Sequence, residues 1–270
     1  MTEKDTRTFE TTLEIAAPVG AVWKALTDAR ELVRWFPLEA EVEPRVDGRY
    51  WISWRNEWQG EHRIRIFEPE RHLRTTWSTG VKESPPTQLT VDYHLEGRGG
   101  RTVLRLVHSG FGRGAAWDEE FDGVSTGWTF ELRSLRHYLE RHPGRDRGAV
   151  FVVGPKSGLG GPQVWERVLR DGLGAEPPAA LAEGARYSLP VGDGETFTGT
   201  VLDCQPPRQL AGTVDGLDDG LFRVEVYAGR PHLWLAVWGR KAGTLARYEK
   251  RWREMLARVL PDGPAVPAGA

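Results

Sequence analysis

Six residues between positions 50 and 108 combine an unsaturated ring with a polar tip: Tyr50, Trp54, His62, Trp77, Tyr93 and His108. Strand parity gathers them on one face. In the segment 48–55 the charged Arg55 belongs with water, which sends Trp51 and Ser53 outward and turns Tyr50, Ile52 and Trp54 inward. In 61–66, Ile64 and Ile66 carry His62 inward with them. Leu73, Thr75 and Trp77 share a face, as do Leu89, Val91, Tyr93 and Leu95, while Leu104 and Leu106 carry His108. Rings of this kind in an apolar wall stack on a planar ligand and fix it by hydrogen bonds. His62, Tyr93 and His108 are also the candidates for general acid–base work. The plain alternative is that each polar tip bonds a neighbour or a buried water, as buried polar groups do.

Tryptophan supplies a second signal. The chain has 12, and eight precede residue 130: Trp23, Trp35, Trp51, Trp54, Trp58, Trp77, Trp117 and Trp128. That is more than one core needs, and small-molecule pockets are lined by such side chains. Trp35, Trp128 and Leu132 therefore join the six as candidate ligand-binding residues. Other chemistry is sparse. No HExxH, no CxxC and no paired His–Cys pattern occurs, so neither a metal centre nor a cofactor is expected. Cys204 stands alone and forms no disulfide within the chain. The run WDEEFDG (117–123) collects four carboxylates ahead of a helical segment, a place where acidic groups favour the helix N-terminus; a bound cation is the alternative. GRGGR (97–101) separates two strands and reads as a hairpin, not a phosphate cradle.

The elements that must position these residues follow from periodicity. Residues 8–15 alternate as a strand, and Pro18 opens a helix carrying Val22, Trp23 and Leu26. A short helical piece covers 30–36. Alternation returns in 48–55, 58–67, 72–79, 87–96 and 101–109, an antiparallel meander with hairpin-length links. From about 114 to 141 the period is helical, with Trp128, Leu132, Leu135 and Leu139 on one stripe. A curved sheet around that helix buries the stripe and leaves a gap for a ligand.

The order then repeats. QVWERVL (163–169) echoes AVWKAL (21–26), ARYSLP (185–190) echoes GRYWIS, and Pro206 with Leu210 echoes Pro69 with Leu73. A last helix, 241–260, sets Trp252, Leu256 and Leu260 where Trp128, Leu132 and Leu135 stood. The expected division is a ligand-binding domain over 1–142, a linker at 143–148, a degenerate copy over 149–260 with a smaller cavity, and a disordered tail at 261–270. Lys and Arg number 36 against 38 Asp and Glu, which excludes the basic field of a nucleic-acid binder. No apolar run has membrane-spanning length, so no membrane insertion is expected, a cytoplasmic location is the default, and a homodimer is allowed.

The stretches TTLEIAAPVGAVWKALTDARELVRWF, DGRY, EPERHLRTTW and GWTFELRSLRHYL resemble the START-like, or helix-grip, superfamily, in its branch of homologues of the heat-shock protein 90 ATPase activator. The resemblance implies an α+β fold in two tandem copies, each a curved antiparallel sheet around a long C-terminal helix, with a hydrophobic cavity between them. The superfamily includes lipid carriers, polyketide cyclases, plant allergens, hormone receptors and co-chaperones. Some small members in antibiotic-producing bacteria protect their host from reactive enediynes. Three readings stay open: a binder that carries, sequesters or confers resistance to a hydrophobic or polyaromatic small molecule; a cyclase or aromatase; and a co-chaperone-like interaction module.

Overall fold

A computed structural model describes residues 6–55, 57–78, 88–178, 181–239 and 242–260. The chain divides into two compact units, Met1–Arg145 and Asp146–Ala270. In the first unit, β1 (Arg7–Ile15) leads through Pro18 into α1 (Val19–Thr27) and α2 (Ala29–Leu32). The side chain of Asp28 caps α2, accepting the Glu31 backbone N–H at 3.0 Å. Six strands follow: β2 (Glu39–Val42), β3 (Arg49–Ser53), β4 (Gln59–Glu68), β5 (His72–Ser78), β6 (Gln88–Arg98) and β7 (Arg101–Phe111). The long helix α3 (Ala115–Arg141) closes the unit. The sheet order is β1-β7-β6-β5-β4-β3-β2, antiparallel throughout, because β1 returns to pair with β7.

The strand β2 escapes a periodicity search: EAEV is short, charged and at the sheet edge, where burial imposes no strong pattern. The hairpin between β6 and β7 turns at Gly99 and Gly100, whose φ values of 56° and 83° suit glycine. The acidic run 117–123 lies in the first turns of α3, where Asp118 pairs with Arg7 at 2.7 Å. The buried stripe of α3 is the expected one: Trp128, Leu132, Leu135 and Leu139 are all within the core. One parity expectation fails. A bulge between Ile64 and Ile66 shifts the β4–β5 register, so that Ile66 pairs with Arg74 and Phe67 with the buried Leu73. Ile66 therefore leaves the inner face and Phe67 replaces it, its ring edge-on to Trp23 at 5.0 Å.

The second unit repeats the plan. Its strands are β8 (Arg147–Val153), β9 (Arg186–Pro190), β10 (Thr196–Gln205), β11 (Gln209–Val214), β12 (Gly220–Tyr227) and β13 (Arg230–Trp238). They form a sheet in the order β8-β13-β12-β11-β10-β9. Helix α4 (Gly161–Glu166) continues as a π-helical turn to Leu173, and α5 (Ala242–Val259) is the terminal helix. β8 takes up Arg147 and Gly148, so the stretch 143–148 is not linker throughout. The loop at 82–86 and the tail at 261–270 lie outside the described residues. Among the described residues no helix is long and apolar enough to cross a membrane.

Gly199 marks the tightest strand contact of this sheet: a Cβ there would fall inside the contact distance of the Thr213 carbonyl oxygen. Gly199→Ala should push β10 from β11 and cost about 1–3 kcal/mol, as overpacking does. A urea unfolding midpoint equal to that of the parent chain contradicts this.

Candidate functional site

The inner face of the first sheet presents a row of rings to α3. Tyr50 on β3 pairs across the strands with His62 on β4, and Val91 on β6 pairs with His108 on β7. Trp77 on β5 lies between the two imidazoles. Its ring stacks on His62 at 4.2 Å and 13°, and meets His108 at 5.1 Å and 58°. Helix α3 adds Trp128, whose indole N–H donates to His108 Nδ1 at 2.9 Å. Because Nδ1 accepts, the neutral His108 carries its proton on Nε2.

Both imidazoles are buried, His62 at 5% and His108 at 2% exposure, and their hydrogen bonding is incomplete. His62 Nδ1 and Nε2 and His108 Nε2 have no partner. Buried polar atoms of this kind call for a ligand or water. Burial pushes His62 down to about 4, and burial aided by the charge of His62 pushes His108 down to about 3. Both rings are thus neutral near pH 7 and offer hydrogen bonds without charge. Burial also raises the Tyr93 and Tyr50 phenols, which stay protonated.

The other candidate residues divide into two groups. Tyr93 and Trp128 belong with the imidazoles, edge to face at 5.9 Å. Trp54 is half-buried just past the end of β3 and meets Phe36 at 5.1 Å, while Phe36 stacks on Trp128 at 5.4 Å. Trp35 and Tyr50, in contrast, spend their polar tips on the fold. The Trp35 indole N–H donates to the Ala25 carbonyl at 2.9 Å, and the Tyr50 hydroxyl to the Leu26 carbonyl at 3.3 Å. Leu132 is a fully apolar part of the helix stripe.

Four residues near these rings were not singled out by parity. Phe36 joins Trp35 to Trp128. Phe111 packs on His108 at 4.5 Å. Trp58, 46% exposed, has its indole edge over Gly60. A Cβ at Gly60 would lie 3.1 Å from His62 Nε2 and closer still to the Trp58 ring, so the missing side chain makes room for that ring beside the imidazole. The alternation 58, 60, 62 was the available signal, since Trp58 and Gly60 share the parity of His62.

Cys204 is no rival centre: burial raises its thiol, which disfavours the reactive thiolate. Among the described residues, the second unit offers no equivalent row. There Phe197, Phe222, Tyr248 and Trp252 contact one another at 5.3–5.7 Å within one apolar cluster.

No curated protein matches the chain in sequence. Among solved structures, MLL2253 from Mesorhizobium loti is 24% identical, with 50% of this chain and 98% of that one covered and a TM-score of 0.44. CalU16 from Micromonospora echinospora is 25% identical, covering 50% and 75% with a TM-score of 0.41. DynU16, a protein in the dynemicin biosynthetic locus, is 22% identical, covering 94% and 95% with a TM-score of 0.44. Residues 16–140 match the family described as activator of Hsp90 ATPase homolog 1-like protein. With its strand, paired short helices, meander and terminal helix, the first domain is similar to that family over residues 16–140, and the chain carries a helix-grip fold twice in tandem.

Proposed function

We propose that the first domain binds a planar, largely apolar small molecule against Trp77 and the two imidazoles, and that it acts as a carrier or sequestering protein. One observation carries this reading: three buried imidazole nitrogens, on His62 and His108, have no partner beside a half-buried tryptophan. The ligand that fits has fused or conjugated rings to stack on Trp77 and carbonyl or ether oxygens to accept from His108 Nε2–H and from the ring N–H of His62. Polycyclic aromatic products of the polyketide type have this chemistry.

Acid–base catalysis is the weaker reading. A general base works best with a pKa near the working pH, and imidazoles held at about 4 and about 3 are poor bases and are not acids near neutrality. Neutral hydrogen bonding is what such groups do well.

Anthraquinone serves as a probe, and quenching of tryptophan fluorescence reads its binding. His62→Phe keeps the ring on Trp77 and removes both nitrogens. Losing one hydrogen bond of about 0.5–1.5 kcal/mol should weaken binding roughly two- to tenfold, with circular dichroism unchanged. Equal affinity in the parent and His62→Phe would make His62 a core residue only. Mass spectrometry of small molecules that co-purify with the chain supplies the natural ligand class; turnover of that ligand would favour an enzyme instead.

A further inference from the structure

The outer face of the first sheet holds a separate cluster. His72 on β5 and His94 on β6 are directly opposed across the strands, and their rings stack at 4.1 Å. Asp92 precedes His94 by two residues and so shares its face. Its Oδ1 lies 2.6 Å from His72 Nε2, and only 4% of the residue is exposed. One ligand atom from each of the three lies within 4.8 Å of the other two. His72 and His94 open on a surface depression of about 460 Å³ whose other charged lining residues are Glu68, Glu96, Arg71 and Arg105.

We infer that His72, Asp92 and His94 form a binding site for a divalent transition metal of the zinc class, with a fourth position open to water or an external ligand. Two imidazoles and one carboxylate suit zinc and its neighbours, whereas calcium and magnesium prefer oxygen alone. Tetrahedral coordination with bonds of about 2.0–2.1 Å brings ligand atoms to about 3.4 Å from one another. Side-chain rotation covers the difference, since the strand register already opposes the two rings. The metal would replace the His72–Asp92 hydrogen bond.

Arg74 donates its Nε to the same Asp92 oxygen at 2.7 Å. It would orient the carboxylate from behind the metal, as outer-shell partners do. Its positive charge opposes the ion, but the side chain is 41% exposed and its charge is screened by solvent.

The test uses the full chain, freed of metal with a chelator and titrated with Zn²⁺ in a calorimeter and with Co²⁺ by absorption. One equivalent should bind. Changing an outer-shell partner typically costs about 10–100-fold in affinity, so loss of a direct ligand in His72→Gln or His94→Gln should weaken binding at least about tenfold. Failure of the parent chain to bind either ion overturns the site, and so does an affinity unchanged in both variants. Zinc-edge X-ray absorption on the parent chain decides the matter if a variant does not fold: two imidazoles with oxygen support the site, and a shell without imidazole overturns it.

Discussion

Trp35→Ala should destabilise the first domain by about 3–5 kcal/mol, the range for a large aromatic truncated in a core. Trp35 is 0% exposed and stacks on Phe36 at 5.0 Å. Its indole N–H reaches the Ala25 carbonyl at 2.9 Å, and its own carbonyl accepts the Ser134 hydroxyl at 2.9 Å. One residue thus ties α1, the chain after α2, and α3. Domains of this size hold only about 5–15 kcal/mol in total, so the variant should unfold far more easily. Trp35→Phe separates the causes: it keeps much of the packing but leaves the Ala25 carbonyl without its donor, for about 1–3 kcal/mol. Urea unfolding followed by far-ultraviolet circular dichroism measures both. A Trp35→Ala loss below about 1 kcal/mol would refute the tie.

Acid should weaken the first domain before the surface carboxylates Glu10, Glu61 and Glu96 titrate. His62 in the fold sits at about 4 against an ordinary value of 6.5, because burial disfavours the imidazolium. Above 6.5 both the folded and unfolded chains carry it neutral. Between 6.5 and 4 the unfolded chain takes up a proton that the folded chain refuses, so stability falls as pH falls through this window. At 1.36 kcal/mol per pH unit the loss from His62 is about 3 kcal/mol, and His108, held at about 3, adds to it. The surface carboxylates Glu10, Glu61 and Glu96 are held below their ordinary value of 4.5 by hydrogen bonds from Arg105, Arg49 and Arg98. Their contribution is lost only as pH falls below 4.5, so it overlaps the His62 window only at its acid end. Stability measured by urea at a series of pH values should fall less steeply from 6.5 to 4 in His62→Phe than in the parent. Identical slopes would mean that the folded His62 titrates normally.

The sequence by itself determined the order of elements, the two copies and most of the inner face. Alternation at period 2 and a stripe at period 3.6 are local properties, legible in segments such as TQLTVDYHLE and in the Trp128–Leu132–Leu135–Leu139 run. They were enough to bring His62, Trp77, Tyr93 and His108 to one side. Tertiary structure alone decided which polar tips remain free. Trp35 and Tyr50 look like Trp77 in the sequence, yet helix carbonyls 10 and 24 residues away occupy their donors. The bulge in β4 exchanged Ile66 for Phe67, because one extra residue reverses parity and no composition marks it. His72, Asp92 and His94 formed no motif in the sequence, since cross-strand neighbours are set by register and by the return of the chain. Periodicity reports which face a side chain takes; only the packed structure brings distant residues close enough to satisfy it or leave it open.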